Sequence, residues 1–274
     1  MGYKYGVVEW GLPPMGPAGL EILSKIGLQG LELDFGEYEQ GCQLSNPRIQ
    51  DLYLECGAKY GMEFPSMALN ALNVHGMSAG RGTLDGMIAM EVIKKGIDAA
   101  KRMNIPVVQL PSFHDNRGDI RTEQDFYNTC EMLRYACDIS SDTNLILALE
   151  NVMDAEKTLE MIEKVGCDRL KVMFDTQNYY LNHGYDEAEL LRAISRHVVQ
   201  IHVKDGFNNT ISSATLGTGD VSLDKTVEAI KETQCTEWLL IENFYNAQPM
   251  NLWRDDMFDL LEEDLRILKG MFAA

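Results

Sequence analysis

Short runs of apolar residues alternate with longer amphipathic segments along the whole chain. The short runs are rich in Val, Ile, Leu and aromatic residues and have the length of buried strands. They lie at 3–10, 28–35, 62–70, 105–113, 145–150, 170–175, 198–205 and 238–242. In the longer segments, at 17–26, 46–60, 83–103, 121–142, 154–166, 186–196, 222–234 and 254–270, apolar residues recur at helical spacing. The pattern predicts eight strands, each followed by a helix.

This alternation predicts a parallel sheet, because parallel neighbours need a crossover connection between them. Eight repeats favour closure into an α/β structure of the (β/α)8 TIM-barrel type. The alternative, an open doubly wound sheet, usually has a glycine-rich first turn. Here the first turn reads WGLPPMG and has no G-x-G-x-x-G motif. A chain of 274 residues suits one such barrel, and with no linker-like segment we expect a single TIM-barrel domain spanning residues 1–274.

Charge and cysteine usage narrow the range of partners and locations. Lys and Arg total 24 and Asp and Glu total 42, which gives a net charge of −18. Such a surface repels phosphate backbones and anionic lipid, so we expect no nucleic acid and no membrane partner. The six cysteines form no C-x-x-C pair, and the chain starts without the features of a secretory signal. These observations predict reduced thiols and a cytoplasmic location.

Four of the predicted strands carry a potential metal ligand at or near their carboxyl ends. These residues are Glu150, Asp175, His202 and Glu242, on the fifth to the eighth predicted strands, and they follow one another by 25, 27 and 40 residues. One strand–helix unit of a barrel takes about 30 residues, so the four side chains recur at a similar height on neighbouring strands. Active sites of such barrels lie at this end of the strands.

Three carboxylates and one imidazole suit a divalent cation such as Mn²⁺, Mg²⁺, Co²⁺ or Zn²⁺. Without a cation, the crowded carboxylates repel one another. Taken singly, an acidic residue at a strand end often caps the next helix, and a lone histidine is often a hydrogen-bonded core residue. Four such residues in register favour one shared metal ion instead.

Several segments around these positions are similar to a known group of proteins. They are LALEN at 147–151, FDTQN at 174–178, QIHVKDG at 200–206, LGTGDV at 216–221 and LLIEN at 239–243. Together they resemble the sugar phosphate isomerase/epimerase superfamily of xylose-isomerase-like barrels. The resemblance implies one divalent ion, commonly Mn²⁺, held by the four residues above, and a small-molecule sugar substrate.

Resemblance to the ketose 3-epimerases of this superfamily implies that Glu150 and Glu242 are the catalytic acid–base pair. One takes a proton from the carbon beside the carbonyl, the metal stabilises the ene-diolate, and the other returns a proton to the opposite face. Glu156 matches a substrate contact of these epimerases. Gln177 and Lys204 follow two of the ligands and are candidates for binding substrate hydroxyls, although Lys204 has an alternative partner in its neighbour Asp205.

Two positions depart from the ketose 3-epimerase pattern. Asn178 stands where those enzymes carry a histidine, and Asn208 stands where they carry an arginine. Two alternatives to an isomerase or epimerase therefore stay open. One is a metal-dependent lyase, such as the inosose dehydratases of the same superfamily, and the other is a non-catalytic sugar-binding barrel.

A third activity of the superfamily is disfavoured. Type IV apurinic endonucleases need further histidines on the third and fourth strands, whereas His75 and His114 of this chain lie beyond the predicted strand ends.

Gly217 and Gly219 leave room for a phosphate after the seventh strand, but no Lys or Arg lies between Gly206 and Val221. The sequence leaves open whether the last helix makes a homo-oligomer.

Overall fold

The computed structural model describes residues 2–113, 120–252 and 256–273. Within these ranges eight parallel strands follow one another, in sequence order, around a closed barrel. The strands are β1 (Lys4–Val8), β2 (Gly30–Asp34), β3 (Met67–Ala68), β4 (Val107–Pro111), β5 (Ile146–Glu150), β6 (Leu170–Asp175), β7 (Val198–Val203) and β8 (Trp238–Ile241). The predicted (β/α)8 barrel is confirmed. His114 and the first residues of the predicted helix 254–270 lie outside the described residues.

Helices connect the strands, and their ends follow local sequence signals. They are α1 (Leu20–Ile26), α2 (Pro47–Tyr60), α3 (Leu84–Met103), α4 (Glu123–Ile139), α5 (Ala155–Val165), α6 (Asn178–His183), α7 (Glu187–Ile194), α8 (Leu223–Thr233) and α9 (Met257–Met271). Thr122 and Asp125 form a capping box at the start of α4, which satisfies two backbone N–H groups. Gly27, Asn104 and Gly166 end α1, α3 and α5 in the left-handed conformation, which Gly and Asn adopt readily.

Two elements differ from the sequence-based prediction. Helix α6 lies between the predicted strand 170–175 and the predicted helix 186–196, where the sequence pattern predicted no element. Asp175 accepts hydrogen bonds from the backbone N–H groups of Gln177 and Asn178 at the start of this helix. Strand β3 covers only two residues of the predicted run 62–70. Pro65 lies inside that run and has no backbone N–H to donate, which limits the ladder.

A pair of glycines lets two strands approach each other beneath large side chains. Gly6 of β1 and Gly30 of β2 are register partners. A Cβ atom on Gly6 would lie 2.7 Å from Leu240 and 2.9 Å from the carbonyl oxygen of Gly30, and one on Gly30 would lie 2.7 Å from the ring of Trp238. A larger residue at either position would displace core side chains that are almost fully buried.

Contacts group the chain into two compact units. One contains residues 1–32, 56–63 and 174–274, with strands β1, β7 and β8, and the other contains 33–55 and 64–173, with β3, β4 and β5. Two of the boundaries fall inside strands β2 and β6, and a third falls inside helix α2. A single domain over residues 1–274 stays a prediction.

In the described part of the chain, no helix is both long and apolar enough for a membrane crossing. All six cysteines are free thiols.

Glu187 is a buried acidic residue at the start of α7. Its side chain accepts a hydrogen bond of 3.3 Å from the backbone N–H of Tyr180, and the residue is 4% exposed. Burial raises the pKa of its carboxyl to about 9, and the negative charge of Asp175 adds to the rise. The folded protein therefore holds a proton on Glu187 at neutral pH.

This protonation makes the stability of the fold depend on pH. Between about pH 4.5, where an unfolded glutamate ionises, and the folded pKa of about 9, the folded chain keeps a proton that the unfolded chain has lost. Stability therefore falls as pH rises through that window, by at most about 1.4 kcal/mol per pH unit. We expect Glu187→Gln, which has nearly the same shape, to remove this slope. Urea unfolding between about pH 5 and 8.5 measures it, and parallel curves for the two proteins would contradict the assignment.

Candidate metal centre

The four ligands predicted from the sequence come together in the structure. Glu150 and Asp175 are the last residues of β5 and β6, His202 lies in β7, and Glu242 follows β8 directly. All four are buried. Each offers one ligand atom, and these four atoms lie within 4.8 Å of one another. These four residues form the ligand set, and their role as metal ligands is still a prediction.

Asp175 is fixed by the first turn of α6. Its Oδ1 atom accepts hydrogen bonds from the backbone N–H groups of Gln177, at 2.8 Å, and Asn178, at 2.7 Å. The other oxygen, Oδ2, lies 2.9 Å from the ammonium of Lys204. One oxygen thus anchors the side chain to the backbone, and the second faces a positive charge.

Glu242 and His202 are each fixed by one side chain, from the turn after β1 and from β2. The indole N–H of Trp10 donates to Oε1 of Glu242 at 2.9 Å. Nε2 of His202 lies 2.7 Å from Oε2 of Glu32. Oε2 of Glu242 accepts from the ammonium of Lys204 at 2.8 Å, and it lies 3.1 Å from Nδ1 of His202.

Glu150 has its own buried partner. The side-chain amide of Gln109, on β4, donates to Oε2 of Glu150 at 2.7 Å, and the backbone carbonyl of Glu150 accepts from the hydroxyl of Ser112 at 2.8 Å. In each residue of the ligand set, one polar atom is therefore held by a protein group. Such partners orient ligands around a metal ion.

The atoms that remain fit a divalent cation. Nδ1 of His202 lies 4.0 Å from Oδ2 of Asp175 and 3.1 Å from Oε2 of Glu242. Oxygen and imidazole nitrogen donors at buried, converging positions match the preference of Mn²⁺, Mg²⁺, Co²⁺ or Zn²⁺. The residues present therefore suit one such ion.

Lys204 supplies a positive charge among these atoms. Its ammonium lies 2.9 Å from Oδ2 of Asp175 and 2.8 Å from Oε2 of Glu242, and the residue is 1% exposed. The alternative pairing of Lys204 with Asp205 is wrong. Asp205 instead accepts hydrogen bonds from the backbone N–H groups of Gly206, Gly217 and Gly219, so its charge is used to hold the loop after β7.

The electrostatics of the site follow from burial opposed by these close charges. Burial lowers the pKa of His202, but the carboxylates of Glu242 and Glu32 outweigh it and hold that pKa well above its usual value. Burial raises the pKa of Glu242, but Lys204 and His202 hold it well below the ordinary range. For Asp175, burial prevails over the attraction of Lys204, and its pKa is raised.

The two other predicted substrate contacts lie elsewhere. Gln177 uses both ends of its amide on the loop after β7, because its Nε2 donates to the carbonyl of Thr210 at 3.1 Å and its Oε1 accepts from the N–H of Ser212 at 2.8 Å. Glu156 is exposed in the first turn of α5. Substrate binding by either residue stays a prediction, and the structure gives Gln177 the task of holding a loop.

Three partners of the ligand set were not assigned from the sequence. Glu32 lies in the second predicted strand, outside the four predicted ligands, and its contact is with His202. Trp10 and Gln109 carry no motif that separates them from ordinary core residues. Only the positions of their strands around the barrel show which ligands they contact.

Comparison with known proteins shows which family has this architecture. A family model described as the xylose isomerase-like TIM barrel matches residues 20–268. The chain belongs to this family. One relative of this xylose isomerase-like barrel is the 2-epi-5-epi-valiolone 7-phosphate 2-epimerase of an Actinoplanes species, which is 28% identical over 244 residues, 88% of this chain and 87% of that protein.

Solved structures share the fold at lower identity. A xylose isomerase domain protein from Planctomyces limnophilus is 18% identical, with a TM-score of 0.76 and coverage of 98% of this chain and 96% of the other. D-psicose 3-epimerase from Clostridium cellulolyticum H10 is 13% identical, with a TM-score of 0.76 and coverage of 99% and 100%. At these identities the likeness shows the fold that these xylose isomerase-like barrels share.

The position of Lys204 predicts that it competes with a metal ion for two of the ligands. The substitution Lys204→Gln removes a positive charge that lies beside the ligand set, so we expect Mn²⁺ to bind at least about tenfold more tightly. Isothermal titration of the purified protein with Mn²⁺ measures the change. Lys94→Gln, which removes a surface lysine paired with Asp98, is the matched control. Unchanged or weaker binding by Lys204→Gln would contradict the competition.

Proposed function

We propose that the protein is a divalent-metal-dependent sugar isomerase or epimerase, and that Mn²⁺ is its ion. The proposal rests on the buried ligand set, in which three carboxylates and one imidazole converge. The relative that is named as an epimerase supports the same reaction class. The substrate class is a ketose, an aldose or a related polyol with a hydroxyl next to its carbonyl.

The chemistry divides between the ion and the protein. A bound divalent cation acts as a Lewis acid that polarises a carbonyl and so acidifies the neighbouring C–H. Glu242 and Glu150 are the proposed acid–base pair, one removing the proton from carbon and the other delivering a proton to the opposite face. Trp10 and Gln109 donate hydrogen bonds to these two carboxylates and hold them in place for the transfer.

The loop after β7 favours a substrate without a phosphate at this position. The N–H groups of Gly217 and Gly219 donate to Asp205, so they are engaged inside the protein and do not point to a ligand. The same loop carries no Lys or Arg between Gly206 and Val221. The named substrate of the epimerase relative is a 7-phosphate. We therefore propose that this chain differs from it and acts on an unphosphorylated sugar.

Metal content tests the first part of the proposal. We expect about one divalent ion per chain after dialysis against Mn²⁺, measured by mass spectrometry on the wild-type protein. The double variant Glu242→Gln, His202→Ala should lose the ion, because it removes two of the four donors. A wild-type protein that retains no Mn²⁺, Co²⁺ or Zn²⁺ would overturn the metal-dependent function and leave the fold standing.

Product analysis in D₂O separates the reaction classes. With Mn²⁺ present, an epimerase should return deuterium at the carbon whose proton was removed. An isomerase acting through an ene-diolate should place deuterium on the adjacent carbon of that ene-diolate, whereas a lyase should release a dehydrated product. Glu150→Gln and Glu242→Gln should each lower kcat by about 10²-fold or more, because each removes a proton-transfer group. Mass spectrometry and NMR over a panel of ketoses, aldoses and inososes read both outcomes. Binding without turnover on the whole panel would favour a sugar-binding barrel.

A further inference from the structure

We infer that Glu32 is a positioning residue of the proposed metal centre: it holds the His202 ring so that Nδ1, and not Nε2, is the ligating atom. The inference rests on the proposed metal-dependent function. It concerns a residue outside the ligand set, and it specifies which nitrogen of the imidazole binds the ion.

The geometry distinguishes the two ring nitrogens. Nε2 lies 2.7 Å from Oε2 of Glu32, a distance of a strong hydrogen bond to a charged acceptor. Nδ1 faces the other way, 3.1 Å from Oε2 of Glu242 and 4.0 Å from Oδ2 of Asp175. Only Nδ1 therefore faces the other donors, and only Nε2 faces Glu32.

The fold makes this arrangement rigid. Glu32 lies in β2 as the register partner of Val8 in β1, and His202 lies in β7 as the register partner of Leu240 in β8. Both side chains are 0% exposed, so neither can turn away into water. Trp10 also packs edge-on against the imidazole, with ring centroids 5.8 Å apart.

The stability of the fold does not explain why position 32 carries a carboxylate. Oε1 of Glu32 is buried without a hydrogen-bond partner in the described residues, and burial of an unpaired acceptor destabilises a fold. Buried ion pairs are often replaced by apolar residues with no loss of stability. Orientation of His202 gives this costly group a function that packing does not.

The chemical consequence concerns the state of the imidazole that binds a cation. A neutral imidazole carries one N–H, and a carboxylate that accepts from Nε2–H selects the tautomer with a lone pair on Nδ1. The same hydrogen bond raises the basicity of the ligating nitrogen, and loss of such a partner typically weakens metal binding by about 10- to 100-fold.

Variants at position 32 test the inference through metal affinity. We expect Glu32→Leu to weaken Mn²⁺ binding by about 10- to 100-fold in isothermal titration. Glu32→Gln should recover part of that loss, because an amide oxygen can still accept from Nε2–H. Glu91→Leu, which removes a carboxylate paired with Lys95 on the surface, is the control for the substitution, and it should bind Mn²⁺ like the wild type. Thermal melts identify any variant that fails to fold.

NMR of the wild-type protein tests the same point without any variant at Glu32. Long-range ¹H–¹⁵N spectra of the Zn²⁺-loaded protein should show His202 protonated on Nε2, with the signal assigned by its loss in His202→Asn. Protonation on Nδ1, or equal Mn²⁺ affinity in Glu32→Leu and the wild type, would overturn the inference. A wild-type protein that binds neither Mn²⁺ nor Zn²⁺ would overturn the proposed function instead.

Discussion

The balance of charge around one buried histidine is the constraint on which the site depends. The carboxylates of Glu32, Asp175 and Glu242 all lie within 4.0 Å of the His202 ring, in a region without exposure to water. Isolated buried carboxylates are strongly unfavourable. The positive charge of Lys204, in contact with two of them, offsets part of that cost. A divalent ion would offset more of it, and the proposed function makes use of the same imbalance.

The surrounding groups turn that imbalance into a defined geometry. Backbone N–H groups hold Asp175, the Trp10 indole holds Glu242, and Glu32 holds His202. Each partner engages one atom of a residue and leaves the other directed towards its neighbours. Repulsion between the carboxylates therefore cannot separate the side chains freely, because each is attached to a strand or a helix terminus. The closed barrel supplies the fixed positions from which these attachments are made.

The sequence predicts the parts of this structure that depend on local pattern. Eight apolar runs predict the strands, and the strand ends predict which acidic residues and which histidine come together. The partners were harder to predict, because Trp10 and Gln109 act through contacts between separate strands that no spacing along the chain encodes. Lys204 shows the same limit. Its neighbour in sequence is Asp205, but that carboxylate accepts from backbone N–H groups of the loop after β7, and the ammonium contacts Glu242 instead.

One of the two departures from the ketose 3-epimerase pattern, at Asn208, has a local structural reason. Asn208, which stands where those enzymes carry an arginine, is exposed and has a positive φ of 51°, a conformation that asparagine tolerates better than most residues. Its backbone N–H donates to Asp220, so the position serves as a turn within the loop. The loop is also fixed by Asp205 and Gln177. A substrate-binding arginine is thus replaced by a turn, while the ligand set is intact. The position of this turn and the proposed metal ligands are different residues of the chain, so the proposal of a sugar other than the ketoses of those enzymes leaves the ligand set unchanged.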